Sequence, residues 1–460
     1  MPAQAPAQAA RRPFYAGIPV LGAFVDGWAK DWAKDWNGMG VSLALGLLVL
    51  FGFSQGWQCP IFGYGTTEPV SDSGIIRLIY YPVYICGIGL AVPAWRRLID
   101  AAVRTPLLLA LILMCLVSML WSIDPDTTLR RFIAMVMTSG CAYTLAARFS
   151  WRRLTEVLAL TFAVLAFASI IMVVLFPDKG KMTDLFPGAW RGVYDEKNNL
   201  GATMAVGFVA AVAAALHNSS RWRGWAVAAV VMAFLVLMSQ SKTALLSLVI
   251  GLTVVAALWV AKRGPVMAIL VSWGVASVLV TLAGVILVAP NLLFSLLGKD
   301  ATLTGRTFIW DGIMRQIATR PNTGFGYGVV WTTEDRWAPL AKIVAVAGFR
   351  PYHAHSSWLE VWLGLGIGGF VLWAIVFAET WLKGLWRAFK GDGGYFALPF
   401  LAMFSIESLT ESMTLSWNDL RWCLVVLVIV KLSLNGDIDS AVAPGSRSAR
   451  HRSRPATVRG

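Results

Sequence analysis

The chain reads as an all-α polytopic membrane protein of about 12 transmembrane helices, with its largest outer loop between the ninth and the tenth. Three observations lead there. Of 460 residues, 57% are hydrophobic and only 14% charged, where soluble domains carry about 25%. Mean hydropathy is +0.65, and apolar runs long enough to cross a bilayer recur from residue 38 to about 434. Lys and Arg, finally, fall in every second short connection, the pattern that marks the cytoplasmic side. Together these exclude a soluble domain, a disordered chain and a soluble enzyme on a single anchor. The formal net charge of +14 would suit nucleic acid, but its placement in alternate loops accounts for it, so no nucleic-acid partner is expected.

Residues 1–37 form a polar cytoplasmic segment without a signal-peptide core. Trp28, Trp32 and Trp36 repeat there at i, i+4 and i+8, which suits a helix in the headgroup layer and equally a plain tail beside the membrane. Residues 38–434 hold the spans, centred near Leu47, Tyr81, Ile112, Met137, Ala166, Val206, Ala233, Val254, Val278, Gly366, Ala402 and Val428. The basic connections are Arg96, Arg97 and Arg104; Arg148, Arg152 and Arg153; Arg221 and Arg223; Lys262 and Arg263; and Lys383, Arg387 and Lys390. Arg11 and Arg12 precede the first span and further arginines follow the last, so an even number of spans puts both termini in the cytoplasm. Residues 435–460, rich in Ser, Arg, Pro and Ala, read as a disordered basic tail. The cysteines Cys59, Cys86, Cys115, Cys141 and Cys423 form no C-x-x-C pair, so neither a disulfide framework nor a zinc knuckle is implied.

The outer connections hold the chemistry. The longest, 290–356, has seven basic residues against four acidic ones, and loops of that length inside a compact chain usually serve a function. Thr304 would cap a helix through Arg306, Ile309, Ile313 and Ile317, ended by Arg320-Pro321; Gly324, Gly326 and Gly328 then make a turn. The loop closes on Tyr352-His353-Ala354-His355, and these are two of only four histidines. A second outer connection carries Arg191, Glu196, Lys197 and Asn198, and a third carries Asp124-Pro125-Asp126 with Arg130 and Arg131 one turn on. The D-x-D pair would suit a divalent metal, but Thr127-Thr128 after it make a helix N-cap the simpler reading. No metal or other cofactor is expected. Such a set suits transfer of a sugar chain from a polyprenyl pyrophosphate. Arginine forks hold the leaving pyrophosphate, and a histidine takes the proton of the acceptor hydroxyl. Arg191, Lys197, Arg306 and His355 fit those needs. Purely structural roles stand beside these: arginines that snorkel to headgroups, His355 as a cap, His353 as structure, Trp310 as a buried anchor.

The stretches WSIDPDTTLRR (121–131), WRGVYDEKNNLG (190–201), SQSKTAL (239–245), GRTFIW (305–310), PNTGFGYG (321–328) and YHAHSSWLEVWLGLGIGG (352–369), with Glu411-Ser412, resemble the O-antigen ligase/polymerase superfamily, and most of all its ExoQ-type exopolysaccharide polymerization branch. The resemblance implies a GT-C-like membrane fold and metal-independent, inverting glycosyl transfer from undecaprenyl pyrophosphate at the periplasmic face of the bacterial inner membrane. It implies His355 as the catalytic base, Arg191, Arg306 and Lys197 on the pyrophosphate, and Asn198, Trp310, His353 and Arg131 at the substrate. The acceptor is a growing glycan for a polymerase or lipid A-core for a ligase, and a chain-length regulator is a candidate further partner. Two positions depart from the family pattern: Glu196-Lys197-Asn198 where His-Lys-Asn is common, and His355-Ser356 where His-Asn is common. The rival from another class is a lipid-linked oligosaccharide flippase, which would place ionisable groups at mid-membrane and show internal repeats.

Overall fold

A computed structural model describes residues 39–64, 74–183, 186–218, 220–288, 305–332, 335–388 and 393–434. The Trp28–Trp36 helix, the Thr304 cap and the C-terminal tail lie outside these residues. Among the described residues the structure is helical, with no strand beyond an isolated bridge between Lys181 and Trp190.

In chain order the helices are α1 (Met39–Phe53), α2 (Gln58–Phe62), α3 (Gly74–Ala91), α4 (Trp95–Arg104), α5 (Pro106–Val117), α6 (Pro125–Arg148), α7 (Trp151–Leu175), α8 (Lys197–His217), α9 (Trp222–Met238), α10 (Lys242–Ala261), α11 (Pro265–Val288), α12 (Arg306–Thr319), α13 (Pro339–Ala347), α14 (Ser357–Ala388), α15 (Gly394–Thr410) and α16 (Leu420–Ser433). Each of the twelve span centres falls in one of these helices. Five helical stretches are long and apolar enough to cross a membrane: Gly74–Arg104, Trp151–Leu175, Lys197–His217, Lys242–Ala261 and Ser357–Ala388. Five shorter apolar helices accompany them. Met137 and Val428 lie in α6 and α16, outside both groups; α6 carries many polar residues, and α16 is both short and carries Arg421 and Lys431.

The bundle is built around α8 and α16. Small residues along α8 let α7, α9, α10 and α15 approach closely. A β-carbon on Gly201 would meet the Ala244 methyl and the Ser239 hydroxyl at 2.7 Å, and one on Gly207 would meet Phe162 at the same distance. Helix α16 is apolar on every side from Trp422 to Val430 and buried over that stretch, as such a segment must be, against α6 and α14. By contrast α11 packs chiefly on α10, and its side chains over 265–278 are largely exposed.

One feature positions the site. α14 is broken at Gly366 (φ 70°, ψ −171°), and segment 321–328 fills the break. Phe325 N donates to Leu363 O at 3.0 Å, Gly326 N to Gly364 O at 2.9 Å, and Ile367 N to Pro321 O at 2.8 Å. Irregular backbone at membrane depth is tolerated where protein satisfies its hydrogen bonds, and here two broken elements satisfy each other. The glycines are required: a side chain at Gly326 would strike Ser122, and one at Gly366 would strike the Asn322 carbonyl. The Gly-x-Gly-x-Gly run is therefore a packed turn, as read from the sequence.

Candidate functional site

The residues before α14 form the mouth of a cavity. His355 adopts a left-handed backbone (φ 49°), which a non-glycine residue keeps only when its surroundings over-determine it. They do so from three sides. Ala354 N donates to Glu360 Oε2 at 2.9 Å, Ala354 O accepts from Trp310 Nε1 at 2.9 Å, and His355 N donates to His353 Nδ1 at 3.2 Å. Ser357 Oγ donates to Glu411 O at 2.8 Å and accepts from Met413 N at 2.9 Å. Behind the turn, the half-buried Glu360 carboxylate also accepts from Trp331 Nε1 and Ser412 Oγ.

Glu411 joins the charged groups. Arg306 Nη2 donates to its Oε1 at 2.9 Å, and His355 Nδ1 stands 3.5 Å from its Oε2, at ion-pair spacing but without an aligned hydrogen bond. Burial pushes the Glu411 carboxyl up, yet His355, His353 and Arg306 beside it more than reverse that and hold it at about 2. The His353 and His355 rings lie 4.0 Å apart. Burial first, then the neighbouring His355, lower His353 to about 3, so it is neutral at physiological pH. Since His353 Nδ1 accepts from the His355 amide, its proton sits on Nε2. His353, His355 and Glu411 could also offer three ligand atoms within 4.8 Å to a cation. Arg306 on the same carboxylate opposes a cation there, and His353 Nδ1 is already engaged.

A cavity of about 640 Å³ opens in front of this cluster, within the usual range for small-ligand sites. His353, Glu360 and Glu411 form one wall, Asp195, Glu196 and Asn198 a second, and Arg131, Trp417 and the 326–330 backbone a third. Glu196 shows surface because it faces the cavity, but protein surrounds it. The loss of solvent, then the charges of Glu411 and Asp195, push its carboxyl up.

The structure thus gathers His355, His353, Arg306 and Trp310 around Glu411 and Ala354; of these four only His353 lines the cavity, as do Asn198 and Arg131, while His355, Arg306 and Trp310 stand behind the lining. His355 stands behind His353, with its side chain 29% exposed. Asn198 Oδ1 accepts from Ser241 Oγ at 2.8 Å, and the Arg131 guanidinium stacks 4.4 Å from the Trp417 ring. Arg191 and Lys197 are not among the residues lining the cavity. Arg191 donates to the Lys179 and Asp195 carbonyls and stacks on Tyr64, while Lys197, 8% exposed, lies over Phe186 and donates to Gln240 O. Asp124 caps α6, its Oδ1 accepting from Thr127 N at 3.0 Å. Sequence reasoning gave Glu360 and Trp417 no role in the site and carried Glu411 only as part of a resemblance. A carboxylate within the first turn of an apolar helix, and another just past the end of one, were the available signals.

Residues 227–374, which span α9 to α14 and contain Arg306, Trp310, His353 and His355, match the profile of the family described as O-antigen ligase. The chain is similar to the O-antigen ligases. It is also 27% identical, over 330 residues, to the exopolysaccharide production protein ExoQ of Rhizobium meliloti (strain 1021), covering 68% of this chain and 72% of that protein. Both similarities support a membrane polymerase or ligase role, and the first covers the elements that carry the histidine–arginine cluster.

Proposed function

We propose that the protein is an integral membrane glycosyltransferase of the bacterial inner membrane. It moves a glycan from undecaprenyl pyrophosphate to a sugar hydroxyl at the periplasmic face, with both termini in the cytoplasm. The observation that carries this reading is the Arg306–Glu411–His355 cluster, whose Glu411 lines a 640 Å³ cavity. With its Nδ1 directed at Glu411, the other ring nitrogen of His355 takes the acceptor's proton. The acceptor oxygen then attacks the anomeric carbon from the face opposite the pyrophosphate, and the C–O bond breaks with its electron pair leaving on undecaprenyl pyrophosphate. Inversion follows from that single displacement. Arg306 spends an N–H on Glu411 and holds the departing phosphate with the rest of its fork. Arg191 and Lys197, held by other partners outside the cavity lining, contribute positive charge to the phosphate rather than contact. His353, neutral with its proton on Nε2, donates a hydrogen bond to the glycan. Arg306 does the electrostatic work of a metal, so the transfer is metal-independent.

The similarity to ExoQ favours polymerase over ligase. The test is to incubate purified protein with lipid-linked repeat units, with and without lipid A-core, and separate the products. A ladder without added acceptor is expected. A product that needs lipid A-core would make it a ligase. Flipping of the lipid-linked sugar without any transfer would establish the transporter instead. His355→Ala should abolish the ladder while the protein remains folded in the membrane; full activity would remove the base assignment.

A further inference from the structure

Trp417 stands in the cavity wall on a strap, 411–419, that joins α15 to α16. One face of its ring is covered by the Arg131 guanidinium at 4.4 Å, and Tyr327 packs on it edge-on at 6.2 Å with an 82° interplanar angle. The half-buried ring also lies beside Gly328, and part of its remaining surface lines the cavity.

Backbone strain collects around this ring. Among the described residues, five non-glycine positions have positive φ: Gln55, Gln240, His355, Leu415 and Asn418. Three of them, Gln55, Leu415 and Asn418, meet at the strap. They are held in place by Tyr327 OH on Leu415 O, Tyr84 OH on Asn418 Oδ1 at 2.6 Å, and Gln55 Nε2 on Asn418 O at 2.9 Å. Strain held this firmly marks places where a side chain must be aimed. Gln55 and Gln58 line the same cavity. Their amide nitrogens are used, by Asn418 O and by Tyr80 OH at 3.1 Å, while their carboxamide oxygens accept no hydrogen bond from the described residues.

We infer that Trp417, Gln55 and Gln58 form a subsite for one pyranose ring of the glycan. The chemistry of a sugar matches it: one ring face presents C–H groups that pack on an aromatic plane, and the rim presents hydroxyl donors for the two carboxamide oxygens. Arg131 is then a positioning residue that fixes the indole from behind. This inference rests on the glycan-transfer reading for the identity of its ligand, but its test does not require turnover.

Full-length protein in lipid nanodiscs is titrated calorimetrically with the pyrophosphate-free oligosaccharide released from the lipid-linked repeat by mild acid. Trp417→Leu should weaken binding by roughly tenfold, Trp417→Tyr by no more than about threefold, and Gln58→Met by about fivefold. The melting temperature of each variant should match that of the native protein. In turnover, KM for one substrate should rise by a similar factor with kcat little changed; the substrate affected tells whether the ring belongs to acceptor or donor. Undetectable binding by the native protein, or unaltered binding in both Trp417→Leu and Gln58→Met, would overturn the subsite. Should Trp417→Leu fail to fold, Gln58→Met and Trp417→Tyr decide. Glycan binding that depends on Trp417 in a protein without transfer activity would leave the subsite standing and remove the transferase reading.

Discussion

Arg306 and Glu411, 105 residues apart in sequence, meet at 2.9 Å, so that one carboxylate faces a guanidinium on one oxygen and a histidine on the other. The shared carboxylate couples the group proposed to hold pyrophosphate to the group proposed to take the proton. Arg306→Lys keeps the charge and loses the planar fork, and kcat/KM for chain extension is expected to fall roughly a hundredfold, the usual cost of a lost oxyanion donor. Near-native kinetics in that variant would reduce Arg306 to a generic charge. Glu411→Gln should lower kcat, because His355 loses its orienting charge.

Acid should unfold the protein in two stages. His353 binds a proton only near pH 3 when folded but near 6.5 when unfolded, so its share of the stability is complete above 6.5 and shrinks as pH falls towards 3. Glu411 keeps its charge down to about pH 2 when folded, against about 4.5 when unfolded, so its share is complete above 4.5 and is lost as pH falls towards 2. In thermal melts of the purified protein, His353→Asn should flatten the loss between 6.5 and 4.5, and Glu411→Gln the loss below 4.5. Parallel curves for native protein and both variants would mean that neither group is perturbed as described.

Gly366→Ala combines a left-handed backbone with a collision against the Asn322 carbonyl. A destabilisation of about 2–4 kcal/mol is expected from strain and displacement of the 321–328 segment. Gly188→Ala, at positive φ but with nothing within 4 Å, isolates the backbone contribution and should cost about 1 kcal/mol. Equal losses in the two variants would refute the packed turn.

Asp124→Ala removes the α6 N-cap and should cost about 1 kcal/mol. Dialysis against EDTA should leave turnover unchanged. Restoration of a chelated sample by a divalent cation would instead point to His353, His355 and Glu411, or to Asp124 with Asp126, as ligands.

The membrane bundle was legible because a bilayer imposes a single length scale on apolar runs, and each expected centre from Leu47 to Val428 lies in a helix. The cap at Asp124 and the turn at Gly324–Gly328 were legible from local chemistry. The location of Arg306 near His355 followed from chain order and resemblance. Other features were hidden for definite reasons. Glu411 acquires its role only when α15 brings the strap up to α12 and α14. Arg191 and Lys197 looked equivalent to Arg306 as basic outer residues, but Tyr64, Phe186 and backbone carbonyls occupy them, and those partners lie far away in sequence. The break at Gly366 left no trace, because nothing in a run of apolar residues tells a straight helix from one that another segment enters.

That insertion has a consequence for how this sequence can change over generations. Segment 321–328 is connected like a surface loop, where gains and losses of residues are ordinarily harmless. Yet its amides are in register with the carbonyls of α14, and a single added or deleted residue would shift Phe325, Gly326 and Ile367 off their partners together. Length variation should therefore be as rare there as in the middle of a β-strand, while substitutions at its non-glycine positions remain open to drift.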